Sequence, residues 1–248
     1  MRKVGLIGGS GLDNPDLLQD AEEKTVDTPY GAPSSPLMIG KIQEVAVVIL
    51  ARHGKRHQYS PTQVNYRANI RALKDQGVTH IIATSACGSL RQEIGRGDLV
   101  IIDQFIDFTR HRNITFVESF EQGAVHTPMA DPFDAGLRAL LWETSEKLGF
   151  TTHRAGTMIT IEGPRFSTRA ESKTFRLWGA DVINMSIAPE VILANEARIP
   201  YAAVAMATDY DAWKEDEAPV TWEEILEVFN RNVDNVKNLL LHTIPKIN

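Results

Sequence analysis

The chain has 248 residues, 43% hydrophobic and 23% charged, the proportions of a soluble globular protein long enough to bury a large core. A net charge of -6, with no basic run beyond Arg52-His-Gly-Lys-Arg-His57, argues against a nucleic-acid partner. One cysteine excludes an intrachain disulfide, and the apolar run after Met1-Arg2-Lys3 is too short for a signal peptide or membrane span, so a cytoplasmic location is expected by elimination.

Short apolar, β-branched runs begin at Val4–Ile7 and recur at Val45–Ala51, His80–Thr84 and Leu99–Ile102. Two more follow at Thr157–Ile161 and Tyr201–Ala207. They are continuous rather than alternating, which predicts strands buried on both faces. Between them, Ser60-Pro61 predicts a helix start with proline in the first turn, running through Ala72. The stretch from Thr109 to Asp131 is polar and lacks periodicity, so it reads as a long functional or interface loop. Helical spacing returns over Ala135–Leu148. Thr168-Arg-Ala-Glu171 and Thr221-Trp-Glu-Glu224 each fit a capping box, and the second opens a helix to about Leu241. No repeat or linker interrupts the chain, which reads as one α/β domain over residues 1–248.

Chemistry concentrates at strand ends, where open α/β sheets bind ligands. Gly8-Gly9-Ser10-Gly11 offers backbone amides and a hydroxyl to an anion, yet fits neither the dinucleotide nor the Walker pattern. Arg52-His53 adds a planar fork and an imidazole. His57 stands four residues from His53, but no carboxylate accompanies the pair, so a metal site is not expected. Thr84-Ser85-Ala86-Cys87 supplies small hydroxyls, and Cys87 reads as a buried thiol rather than a nucleophile. Three strand ends thus converge on one expected ligand, phosphate. Tyr201–Thr208 then runs into Asp209-Tyr210-Asp211, two acids whose partial burial would raise their pKa values and let one donate a proton.

As a set these segments resemble the purine nucleoside phosphorylase family, in its methylthioadenosine phosphorylase branch. The resemblance is carried by Gly8-Gly9-Ser10-Gly11-Leu12, Arg52-His53-Gly54, Ala86-Cys87-Gly88-Ser89-Leu90-Arg91, Glu162-Gly163-Pro164-Arg165-Phe166, Asn184-Met185-Ser186 with Pro189-Glu190, and Ala207-Thr208-Asp209-Tyr210-Asp211. It implies a mixed, distorted β-sheet flanked by helices, assembled as a homotrimer or a dimer of trimers. The implied reaction is attack of inorganic phosphate on 5′-methylthioadenosine, without metal or organic cofactor. Phosphate would be held by Ser10, Arg52, His53, Ser85, Ala86 and Ser186. Ile183, Asn184, Met185 and Thr208 would line the nucleoside site, with Met185 on the ribose and Phe166 against the base. Asp209 would share a proton with purine N7, and Asp211 would accept from the 6-amino group. Trp222, where the branch usually carries a small aliphatic residue, would either narrow the 5′ pocket or shield the start of the last helix, with Ile225 and Leu226 following it. His126 would reach the pocket from a neighbouring subunit, and adenosine is then expected as a second substrate beside 5′-methylthioadenosine.

The two acids favour adenine, because a 6-amino group donates and a carboxylate accepts. They oppose a phosphorylase acting on 5′-methylthioinosine or other 6-oxopurine nucleosides. The phosphate donors oppose a nucleoside hydrolase, and the acid and donor sets together oppose a non-catalytic nucleoside-binding domain.

Overall fold

The computed structural model describes residues 2–8, 17–121, 123–216 and 221–247. Among these, eleven strands form one mixed sheet. Its spine is β1 (Lys3–Gly8), β4 (Val45–Ala51), β5 (His80–Ser89) and β11 (Tyr201–Tyr210). β1 lies between β4 and β5, parallel to both, and β11 runs parallel to β5 on its other side. An antiparallel pair, β2 (Gln19–Lys24) and β3 (Leu37–Ile42), extends the β4 edge. β6 (Leu99–Ile101) pairs with β11, and β8 (Thr152–His153) with β6. On the far side β7 (Gln104–Phe108), β9 (Thr157–Ile161) and β10 (Val182–Asn184) form a smaller parallel group.

The continuous apolar run of β11 separates cleanly in space. Tyr201, Ala203, Ala205 and Ala207 enter one core with α1 (Tyr66–Asp75) and α4 (Ile187–Glu196). Ala202, Val204 and Met206 enter a second core with α2 (Ala135–Leu148) and α5 (Trp222–Thr243). A strand sandwiched between helix layers needs apolar residues at both parities, which is why its sequence does not alternate. A third cluster gathers Phe175 of α3 (Arg169–Leu177) against Ile159, Ile161 and Ile183.

Helix ends follow the sequence signals with one exception. Thr168 and Thr221 each close the expected capping box, with Glu171 and Glu224. Asp134 caps α2, and Gly149 ends it in the left-handed conformation at φ 72. The helix expected from Ser60-Pro61 is displaced: α1 begins at Tyr66, capped by Asn65. Gln63 Oε1 accepts from both the Ser60 amide (3.2 Å) and hydroxyl (3.0 Å), giving a single turn that imitates a helix start and stops.

One irregularity of the sheet makes room for ligand. β1 pairs with β5 only as far as Ala83, and β10 joins the same side of β5 at Gly88. Between them Thr84 to Cys87 have no ladder partner on that edge among the described residues. The expected strand His80–Thr84 therefore continues to Ser89, and Ser85 and Ala86 sit inside it rather than beyond its end.

Candidate active site

The gap in the sheet opens into a cavity of about 520 Å³. Arg52 and His53 reach it from the end of β4, Ser85 and Ala86 from the open edge of β5, and Ser186 from the start of α4. Ile183, Asn184 and Met185 contribute from β10 and the turn after it, and Thr208, Asp209 and Asp211 from the end of β11. Phe166 stands at the mouth, 45% exposed, and Ile225 and Leu226 come from the first turn of α5. Three expected residues are not placed in this wall. Ser10 lies outside the described residues, as does the side chain of Trp222, whose backbone opens α5. His126 lies on an exposed stretch, its ring 5.5 Å from that of Phe120, outside the cavity of its own chain.

Arg52 is almost wholly buried. Its Nε and one terminal nitrogen donate to Glu190 at 2.5 and 3.0 Å, and its other terminal nitrogen donates to the carbonyl of Thr84 at 2.9 Å. The guanidinium thus ties the end of β4 to the Thr84 carbonyl of β5. Burial disfavours its charge, but Glu190 overcompensates and holds its pKa above the ordinary value. Tyr201 donates to the same carboxylate at 2.8 Å. Three of the five guanidinium N–H groups are engaged in these bonds, so two remain for a ligand.

The flanking donors are arranged for an anion. Ser186 occupies the N-cap position of α4, yet makes no side-chain capping bond and is 4% exposed. As a lining residue it brings the positive end of the helix to the same cavity. Ser85 contributes less freely than its sequence implies. Its hydroxyl donates to the Ala86 carbonyl at 2.8 Å and accepts from Asn184 at 3.1 Å. Asn184 in turn accepts from Thr160 at 2.8 Å, so these residues form a cross-sheet scaffold. His53 is half-buried, with Nδ1 2.9 Å from the Tyr59 carbonyl. Burial first, then the charge of Arg52, push its pKa down to about 4, so the ring is neutral at physiological pH.

A bulge sets the acids. The β11 register pairs Ala207 with Cys87 but Asp209 with Gly88, so Thr208 is the extra residue. Thr208 donates to Asp209 Oδ1 at 2.8 Å. Gly88 is needed opposite: a Cβ there would stand 3.2 Å from Asp209 Oδ2 and 3.0 Å from Ile183. Asp209 and Asp211 are 6% and 7% exposed. Burial raises the Asp211 pKa, while the nearby Ser172 and Ser167 hydroxyls draw it back. Asp211 Oδ2 and both hydroxyls lack a closed hydrogen bond, which a small rotation of either serine would supply. Burial, then proximity to Asp209, raises the Cys87 thiol well above its ordinary range, so Cys87 is a neutral wall residue.

Sequence reasoning missed the supports. Arg112, from the polar loop, donates to Glu162 Oε1 at 2.8 Å, to the Tyr66 hydroxyl at 2.6 Å and to the Met185 carbonyl at 3.2 Å. Glu162 also accepts from Thr62 at 2.6 Å and from the amides of Arg110 and His111 at 2.7 and 3.1 Å. Burial would raise the Glu162 pKa, but these donors outweigh it and bring it down to about 2. Gly163 stands at φ +66, and a Cβ there would lie 2.4 Å from Met185 Sδ, so the glycine gives Met185 its place. His57, Tyr59, Ser60, Pro61, Thr84 and Ser167 also line the cavity without a motif to mark them. Among the described residues no group of three or more His, Cys, Asp or Glu side chains is arranged to hold a metal ion.

Residues 3–245 match the family model of the phosphorylase superfamily. The chain is 57% identical to S-methyl-5′-thioadenosine phosphorylase of Xenopus tropicalis, over 99% of this chain and 89% of that protein. It is 51% identical to the protein of the same name from Thermofilum pendens, over 99% and 92%. The structure superposes on methylthioadenosine phosphorylase of Schistosoma mansoni, solved with adenine, at a TM-score of 0.94 and 42% identity, covering 99% and 92% of the two chains. A mutant of that Schistosoma enzyme solved with methylthioadenosine matches at a TM-score of 0.93.

Proposed function

The chain belongs to the phosphorylase superfamily, and from that premise we propose that it cleaves 5′-methylthioadenosine with inorganic phosphate, giving adenine and 5-methylthioribose 1-phosphate. The observation that carries this reading is one cavity entered by cationic and acidic groups from strands set apart in the sheet. Arg52 and His53 enter from the β4 end and Ser186 from the start of α4, and the buried acids Asp209 and Asp211 from the end of β11, with β1 and β5 between β4 and β11. Phosphate bound by the first group attacks C1′, and the C1′–N9 bond breaks with its electron pair passing to the purine. Asp209 shares its proton with N7 as that charge develops, which is general-acid catalysis in a water-poor site. Asp211 accepts from the 6-amino group, and Phe166 covers the base. Met185, held by Arg112 and accommodated by Gly163, meets the ribose. The apolar side chains of Ile225 and Leu226 suit a methylthio group.

The reaction in this reading draws on no metal or organic cofactor. Assembly belongs to the same proposal. Phe120 and Val125 are 54% and 55% exposed beside His126, as expected of a segment that covers the 5′ end of a neighbouring subunit's site in a trimer. The test is to incubate purified protein with 5′-methylthioadenosine, with and without phosphate, and to quantify adenine beside a 5′-methylthioinosine control. Adenine release that requires phosphate, with little cleavage of the inosine analogue, is expected. Preference for the inosine analogue would overturn the roles of Asp209 and Asp211.

A further inference from the structure

Any tetrahedral dianion satisfies a guanidinium, a hydroxyl and a helix N-terminus. Selection among such anions must therefore come from a group that does more than donate, and His53 is placed to be that group. Its Nδ1 lies 2.9 Å from the carbonyl of Tyr59. A carbonyl only accepts, so Nδ1 carries the ring proton and Nε2 of the neutral ring presents a lone pair. Among the described residues that nitrogen has no hydrogen-bond partner, and His53 lines the cavity beside Arg52.

We infer that His53 selects its anion by protonation state, accepting a hydrogen bond at Nε2 from the P–OH of HPO4²⁻ and turning away SO4²⁻, which carries no proton. The inference rests on the phosphate placement proposed above. The surroundings keep the ring neutral: burial opposes protonation most, and Arg52, His57 and Arg112 oppose it further. The Tyr59 bond pulls the other way but holds the tautomer. The His57 ring, stacked 4.6 Å away, restricts rotation of His53. A sulfate oxygen at this position faces a lone pair with no proton between them, a buried unmade hydrogen bond worth about ten- to a hundred-fold in affinity. Arsenate, protonated like phosphate, passes the same test.

Calorimetric titration of the whole protein with phosphate and with sulfate, at one pH of about 8, decides the matter. Phosphate is expected to bind at least about ten-fold more tightly, and His53→Ala is expected to bring the ratio close to one while adenine still binds. Sulfate binding within about two-fold of phosphate in the unaltered protein would overturn the inference, as would full selectivity in a folded His53→Ala variant. If that variant does not fold, His53→Gln decides: its side-chain amide can donate to either anion, so the phosphate-to-sulfate ratio is expected to fall close to one, and a ratio equal to that of the unaltered protein would overturn the inference. The ¹⁵N resonances of His53 read the placement separately. If phosphate binds without moving them, the anion lies elsewhere, and both the subsite and this inference fail.

Discussion

Asp209→Asn separates geometry from acidity at the head of the base site. The carboxylate is 6% exposed, and its Oδ1 accepts from Thr208 at 2.8 Å. An asparagine can keep that acceptor in place and turn its amide toward the purine, so the bulge and the fold are retained. What it cannot do is give up a proton to N7. A positioned general acid contributes about 10²- to 10⁴-fold. A neutral amide hydrogen bond to N7 recovers about 1 kcal/mol of that, roughly five-fold. The expected net loss in kcat is about 20- to 2,000-fold, or about 2 to 4.5 kcal/mol of barrier, with KM for the nucleoside changed only a few-fold. Steady-state adenine release at saturating phosphate gives both constants, and thermal unfolding confirms that the variant is folded. A kcat within about five-fold of the parent would refute the assignment of Asp209 as the acid.

Glu190→Gln leaves the Arg52 charge buried without its counter-ion and is expected to lower stability by about 3 kcal/mol, near 10 °C in Tm by calorimetry, and to raise KM for phosphate. Ser172→Ala removes a group that holds the Asp211 pKa down, so that pKa moves further up. If Asp211 accepts from the 6-amino group as proposed, it must be ionised, and the acid limb of the kcat/KM profile is expected to shift to higher pH, while the alkaline limb stays. Glu162 has its folded pKa depressed to about 2, so its stabilisation is fully present above the unfolded carboxyl range and is lost as pH falls through about 2. The stability gap between the parent and Glu162→Gln, measured by urea unfolding, is therefore expected to be constant from about pH 8 to 5 and to narrow below about pH 4.

Much of this architecture is legible because buried strands and caps announce themselves locally. Val45–Ala51, Thr157–Ile161 and Ala135–Leu148 are strand, strand and helix at the expected bounds, and both Thr/Glu capping boxes close. What was not legible depends on partners distant in sequence. The extension of β5 past Thr84 is stabilised by β11 on one edge, and no pattern in β5 itself reveals that. The α4 helix escaped notice because nearly every residue from Ile187 to Ala194 is buried, which erases the amphipathic period. Ser60-Pro61 misled because a local capping contact forms there without a helix to follow. Part of the lining was readable as motifs, whereas the supports, Glu190 beneath Arg52 and Arg112 beneath Met185, are single charges whose meaning appears only across 138 and 73 residues of separation.

Cleavage of 5′-methylthioadenosine in H2¹⁸O with unlabelled phosphate, followed by mass spectrometry of the sugar product, tests the central claim most directly. Attack by phosphate on C1′ is expected to give a sugar 1-phosphate free of ¹⁸O. A free methylthioribose carrying ¹⁸O at C1 would show that water is the nucleophile and would contradict the account of Arg52, His53 and Ser186 as the phosphate site.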